Sequence, residues 1–285
     1  GVFNASTTDD LEPLCDVLDT YGLSAISGPD DMMTMSDDEL TAYRAKAESL
    51  NLVIGETFYF ANVIDPDPDA RAEHIANIRA MLAQAETLGC KSVISLVGTT
   101  DPGGFPTQPD ATNGYLHSQA AADDFREIVL RILDGLDLPT VKYIIEPWNN
   151  TFFYLPETIR AFFDTIDHPM LGLHLDQMNM VSQATYYDTT SLINQTFDLL
   201  ADKVVSVHLK DILQTRGPDD FVAFKEVLIG EGSMDYATYL RRLAELPTDV
   251  PCYCEHLPTE EQYALNFARL HKIASDAGVS FLRRR

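Results

Sequence analysis

Eight short apolar runs, most of them rich in β-branched residues, alternate with longer amphipathic stretches from one end of the chain to the other. No other feature constrains the fold as strongly. Parallel strands cannot be joined by tight turns, so each needs a crossover of a dozen or more residues, usually a helix. The strands expected are Val2–Ala5, Leu23–Ser27, Leu52–Tyr59, Ser92–Val97, Val141–Pro147, Met170–Asp176, Val204–Lys210 and Pro251–His256. Helices are expected near 8–21, 37–50, 69–89, 118–136, 157–167, 189–201, 234–246 and 259–277. Thr8, Ser36 and either Ser233 or Asp235 precede three of them as N-caps. Eight strand–helix units in 285 residues is the count of a (β/α)8 TIM barrel. A doubly wound open sheet is the rival, but its early glycine-rich phosphate fingerprint is absent. With no linker or low-complexity tract, residues 1–285 read as a single TIM-barrel domain, its active site at the C-terminal ends of the strands.

Composition removes whole classes of function. With 44 acidic against 20 basic residues, the net charge of −24 repels phosphate backbones and anionic bilayers, so neither nucleic acid nor membrane is expected as a partner. No apolar stretch reaches the roughly 20 residues of a membrane span, and no signal pattern opens the chain. Cys15, Cys90, Cys252 and Cys254 lack zinc-pair spacing and read as buried free thiols, which points to a cytoplasmic protein. Two irregular stretches interrupt the alternation. Thr99–Leu116 follows the fourth expected strand and Ile212–Gly232 follows the seventh, and both are expected as loops on the active-site face.

The last four expected strands end in metal-ligating residue types. VKYIIEPWNN reaches Glu146, MLGLHLDQMN reaches Asp176, VVSVHLKD reaches His208 and VPCYCEHL reaches Glu255. Their separations of 30, 32 and 47 residues each approximate one strand–helix unit, the last lengthened by the Ile212–Gly232 stretch. Taken singly, each is an ordinary rim residue. Together on one barrel mouth, the three carboxylates would repel one another without a cation. Three carboxylates and one imidazole form an oxygen-rich set that suits Mn²⁺, Mg²⁺ or Co²⁺ better than the thiolate- or histidine-rich sets of structural zinc.

The motifs EPWN (146–149), HLDQMN (174–179), HLKD (208–211), GEGSMD (230–235) and CEH (254–256) resemble the xylose-isomerase-like TIM-barrel superfamily. More narrowly they are similar to its sugar phosphate isomerase/epimerase group, which includes ketose 3-epimerases and inosose dehydratase. The resemblance is specific from about residue 141 onward. It implies one divalent metal, most often Mn²⁺, on Glu146, Asp176, His208 and Glu255. It also implies that Glu146 and Glu255 are the acid/base pair on opposite faces of the sugar. The activity implied is isomerisation or epimerisation by proton abstraction beside a carbonyl, through a metal-stabilised enediolate. The alternative is a lyase that uses the same chemistry for β-elimination from an oxidised sugar. Inosose dehydratase works in this way, as does the TIM-barrel subunit of C-glycoside deglycosidases. The partner expected is a small-molecule sugar or oxidised sugar, with a homo-oligomer possible, or a small β-rich second subunit if the chain is a deglycosidase. A third reading is a sugar-binding protein that has kept the barrel without the chemistry.

Four further residues are candidates for substrate contact. His174 shares strand parity with Asp176 one layer deeper, where it either holds Asp176, touches substrate or is a satisfied core group. Trp148, the sole tryptophan, can stack on a sugar ring or pack in the core. Lys210 and Arg216 can meet sugar hydroxyls or a phosphate, and Arg216 reads equally as a solvated loop residue. Asn179 separates the chain from the apurinic-site endonuclease branch, which carries Asp-x-x-His where this sequence has Asp176-Gln177-Met178-Asn179. No histidine lies between His208 and His256 to complete that branch's three-zinc cluster.

Overall fold

The computed structural model describes residues 3–101 and 113–284. Seven strands form one parallel sheet: β1 (Ala25–Ser27), β2 (Val53–Phe58), β3 (Ser92–Ser95), β4 (Lys142–Ile145), β5 (Leu171–Asp176), β6 (Val204–His208) and β9 (Cys252–Tyr253). Every neighbouring pair is parallel, in the order β1-β2-β3-β4-β5-β6-β9. Helices surround the sheet: α1 (Leu11–Tyr21), α2 (Asp37–Ser49), α3 (Pro68–Leu88), α4 (Gln119–Leu133), α5 (Pro156–Phe163), α6 (Thr189–Leu200), α7 (Tyr236–Leu243) and α8 (Glu260–Asp276). This is the expected TIM barrel, nearly closed. All four residues of β3 and all six of β5 are buried, the pattern of strands walled on one side by helices and on the other by the barrel interior.

Local chemistry sets the helix ends. Ser36 opens α2 with a complete capping box: its Oγ accepts the Glu39 N–H, and Glu39 Oε2 accepts the Ser36 N–H at 2.8 Å. Asp235 caps α7 by accepting the Thr238 N–H. Thr8 caps nothing. It lies inside a 3-10 turn at Thr8–Asp10, and α1 starts after Asp10 with no side-chain cap.

The first expected strand does not form a ladder. Phe3–Ala5 lack strand structure and touch β1 through one backbone bond, Ser27 N–H to Phe3 C=O at 3.0 Å. β1 and β9 are therefore the two edges, and Tyr253 spans the opening by donating its hydroxyl to the Ile26 carbonyl at 3.0 Å. Gly55 permits this closure, because a Cβ there would collide with the Tyr253 hydroxyl and the Pro251 ring.

The Ile212–Gly232 stretch is also different from expectation. It holds an antiparallel hairpin of β7 (Asp211–Arg216) and β8 (Val222–Val227), paired from Asp211↔Val227 to Arg216↔Val222. Most of its side chains are partly or fully exposed, so the hydrophobic periodicity that reveals buried strands is missing here. Of the expected Thr99–Leu116 loop, residues 102–112 lie outside the described residues. No helix among the described residues is long and apolar enough to cross a membrane. The four cysteines are free thiols, three buried and Cys252 partly exposed.

Candidate metal centre at the barrel mouth

Glu146, Asp176, His208 and Glu255 come together where the strands end. Each offers a ligand atom, and those atoms all lie within 4.8 Å of one another. Glu146 follows β4, Asp176 and His208 are the last residues of β5 and β6, and Glu255 follows β9. β5 and β6 place Asp176 directly beside His208 in register. His256, immediately after Glu255, has a left-handed backbone (φ 59°), so the chain turns sharply at this point.

Hydrogen bonds hold Asp176 and Glu146 through one oxygen each. Asp176 Oδ1 accepts the N–H groups of Met178 (3.1 Å) and Asn179 (3.2 Å) from the 3-10 turn Met178–Met180. Its Oδ2 is buried without a hydrogen bond of good geometry, and the nearest charge is Lys210 Nζ at 2.7 Å. Glu146 Oε1 accepts from Asn179 Nδ2 at 2.8 Å. His208 Nδ1 is likewise buried without a well-aligned bond, 2.8 Å from Glu255 Oε1 and 4.0 Å from Asp176 Oδ2. Buried polar atoms are rarely left unsatisfied. Two such atoms aimed into a cluster of carboxylates fit a divalent cation bound by all four residues.

The electrostatics agree with a site built for positive charge. Burial is the largest influence on Glu146 and, despite Lys210 and His208 nearby, pushes its pKa up to about 8. Burial also acts upward on Glu255, but His208 and Lys210 outweigh it and hold that carboxyl well below its ordinary range. For His208 burial acts downward, and Glu255 and Glu56 overcome it, so its pKa is raised well above the ordinary value. Burial likewise acts downward on Lys210 and is outweighed by Asp176, Glu255 and Glu146, leaving a firmly charged ammonium.

The four candidate contact residues separate. Lys210 is inside the cluster, buried and ion-paired with Asp176 and Glu255. Trp148 is half-buried at the rim, two residues past Glu146. His174 is fully enclosed; its Nδ1 bonds Ser206 Oγ at 2.5 Å and its Nε2 has no hydrogen-bond partner, so it does not hold Asp176. Arg216 is not brought to the site. It ends β7 with its guanidinium largely in solvent, paired at 2.6 Å with an equally exposed Asp220. Of the two readings of Arg216, this exposed pairing fits the solvated loop residue rather than the contact with sugar or phosphate.

Three residues matter more than their sequence context suggested. Asn179, used above only to exclude an endonuclease, tethers Glu146. Glu56, the only charged residue of β2, is fully buried with its Oε1 3.1 Å from His208 Nε2. An acid inside the otherwise uncharged run VIGETF was the available signal. Asp211 physically joins two of the motifs. Its Oδ2 accepts from Gly230 N (2.9 Å) and Gly232 N (3.1 Å), and its Oδ1 from Ile212 N (2.9 Å) and Met234 N (3.1 Å). HLKD and GEGSMD are thus one clamp. Gly232 must be glycine there, since a Cβ would strike Asp211 Oδ1.

Comparison with solved structures finds the same fold at low identity. A xylose isomerase-like TIM barrel protein from Mycobacterium smegmatis, in complex with magnesium, is 16% identical with a TM-score of 0.66, covering 95% of this chain and 90% of that one. A probable 3-DHS dehydratase from Bacillus anthracis is 15% identical with a TM-score of 0.63, covering 96% and 94%. A D-psicose 3-epimerase crystallised in the presence of D-fructose is 16% identical with a TM-score of 0.59, covering 93% and 90%. No curated protein matches the chain. The model of the xylose isomerase-like TIM barrel family matches residues 15–273, and the chain belongs to that family.

Proposed function

We propose that the protein is a divalent-metal-dependent isomerase or epimerase of a small sugar. The observation that carries this reading is the convergence of Glu146, Asp176, His208 and Glu255 at the strand ends, with Asp176 Oδ2 and His208 Nδ1 buried and met only by charged members of the same cluster. The presence of an epimerase among proteins of the same fold supports it. Mn²⁺ is the metal proposed, with Mg²⁺ or Co²⁺ as substitutes, because the donors are mostly hard oxygens. A cation held there supplies Lewis-acid stabilisation of the negative charge that develops on a sugar carbonyl oxygen.

The protein's own groups do the rest. Glu146 and Glu255 are the two carboxylates available to move a proton at the carbon beside the carbonyl. One removes it and the other returns one from the opposite face, which inverts the centre. Asn179 fixes Glu146 through Oε1, and His208 and Lys210 fix Glu255 through Oε1, so neither swings away from the substrate. Lys210 adds a charged donor at the cluster, able to bond a sugar hydroxyl. Trp148 offers a half-buried aromatic face at the rim for the sugar ring.

Incubation of the Mn²⁺-loaded protein with free ketoses in D₂O tests the reading. Deuterium should enter at the epimerised carbon. Absence of exchange with every ketose, together with elimination from a 3-oxo-glycoside, would transfer the same residues to a lyase.

A further inference from the structure

Behind the proposed metal ligands lies a second group of buried polar side chains that the chemistry above leaves unused. Glu56, His174 and His208 are fully buried and present ligand-type atoms within 4.8 Å of one another. Glu56 comes from β2 and His208 from β6, four places apart in the sheet order, so the carboxylate reaches the imidazole through the barrel interior. Its Oε1 stands 3.1 Å from His208 Nε2, while Nδ1 of the same ring faces Glu255 and Asp176. The His174 ring packs edge-on against His208 with centroids 4.0 Å apart, and Phe58 and Tyr253 flank the ring at 6.5 and 6.4 Å. His208 is therefore walled by rings on its faces, with Glu56 as the hydrogen-bond partner behind it.

We propose that Glu56 is a positioning residue whose carboxylate accepts the Nε2–H of His208, fixing the tautomer and ring direction that turn the Nδ1 lone pair toward the divalent cation. The inference rests on the metal-site reading given above. A neutral imidazole carries one N–H and one lone pair, so the partner of one nitrogen decides what the other can do. A carboxylate behind a ligating histidine also raises the basicity of the ligating nitrogen. Packing alone does not account for Glu56. Its Oε2 has no hydrogen-bond partner, and an enclosed carboxylate with a bare oxygen costs stability that an apolar side chain of similar size would not. The same three residues are poorly arranged to hold a second ion. His174 Nδ1 is already bonded to Ser206, and Glu56 meets His208 at hydrogen-bonding distance.

The test measures Mn²⁺ binding by calorimetry on the full chain, for the parent protein and for Glu56→Leu, Glu56→Gln and Tyr43→Phe. Tyr43 lies on α2 and loses an equally buried hydrogen bond, to Ala5 C=O at 2.9 Å, without touching the site. The parent should bind one Mn²⁺ per chain. Glu56→Leu should weaken binding by about 10- to 100-fold, and Glu56→Gln by less, because its amide oxygen can still accept the Nε2–H. Tyr43→Phe should bind like the parent. Long-range ¹H–¹⁵N spectra of the Mg²⁺-loaded parent should place the His208 proton on Nε2. The proposal is overturned by a proton on Nδ1, by Glu56 variants that bind within twofold of the parent, or by an equal loss in Tyr43→Phe. Two Mn²⁺ per chain, one of them lost in Glu56→Leu, would overturn it by making Glu56 a ligand. A parent that binds no divalent ion removes the metal-site reading itself, a result distinct from each of these. If Glu56→Leu fails to fold, Glu56→Gln and the tautomer assignment still decide the matter.

Discussion

Loading the site with a divalent cation should expel about two protons per ion at pH 7. The perturbation is the metal itself, and the number follows from two groups. Glu146 has its pKa pushed up to about 8 by burial, so at pH 7 about nine-tenths of it is protonated. His208 is held doubly protonated, because Glu255 and Glu56 together overcome the burial that would discharge it. Neither can ligate until its proton leaves. The apparent affinity should therefore climb by about 100-fold from pH 6 to pH 7 and more gently above about pH 8, where Glu146 has already lost its proton and only His208 still releases one. The sign for folding is the opposite. Both pKa values are raised above their unfolded values, so both groups favour the metal-free fold most strongly below about pH 4.5 for Glu146 and 6.5 for His208. That contribution is lost as pH rises through the folded values, while the contribution of bound metal grows. The assay is isothermal calorimetry at fixed pH in buffers of different ionisation enthalpy, whose slope counts protons directly. Glu146→Gln should lower the count by about one, in addition to weakening binding. A release below about half a proton, or an affinity flat between pH 6 and 7, would refute the reasoning.

Other expectations can be checked with the same material. Asn179→Ala removes the 2.8 Å bond to Glu146 and should cost about 1–3 kcal/mol in urea unfolding, with a metal affinity about tenfold weaker. Unchanged affinity would show that Glu146 needs no tether. Asp211→Ala strands the N–H groups of Ile212, Gly230, Gly232 and Met234 and should destabilise the fold by about 3 kcal/mol or more, read as a lower Tm. Gly232→Ala should act in the same direction through collision with Asp211. Arg216→Ala should change stability by less than about 0.5 kcal/mol and leave deuterium exchange into ketose intact, since its pair with Asp220 is exposed. Glu146→Gln and Glu255→Gln should each abolish exchange while the circular dichroism spectrum stays that of the folded chain.

The seven barrel strands and eight helices follow the periodicity closely, because most strand residues are buried and several helices open on a side-chain cap. The four clustered ligands could be placed from sequence for the same reason: a βα unit of fixed size returns the chain to the same face each time. What escaped depends on contacts across the barrel. Glu56 meets His208 from 152 positions away, and no local pattern encodes that distance. Asn179 lies three residues past Asp176, yet its amide serves Glu146 on the neighbouring strand. The hairpin escaped because its two faces are too wet to alternate. Val2–Ala5 looked like a strand in isolation, but a strand is defined by its neighbours, and among the described residues Phe3–Ala5 share one backbone hydrogen bond with β1.

The Asp211 clamp bears on how a barrel of this family can vary. A single carboxylate, three positions after His208, ties down Ile212 at the first foot of the hairpin and Gly230, Gly232 and Met234 at the second. Everything between is anchored at its base, so changes in the length or composition of the 217–221 tip need not propagate to His208. Farther out, the Gln214 side-chain amide donates to the Tyr187 hydroxyl, and Glu226 meets His256 at 3.0 Å. These are exchangeable side-chain contacts with the segments that follow β5 and β9. The hairpin is thus an interchangeable attachment on a fixed mount, and grafting a different one onto the same Asp211 should alter which molecules reach the cage without altering the cage itself.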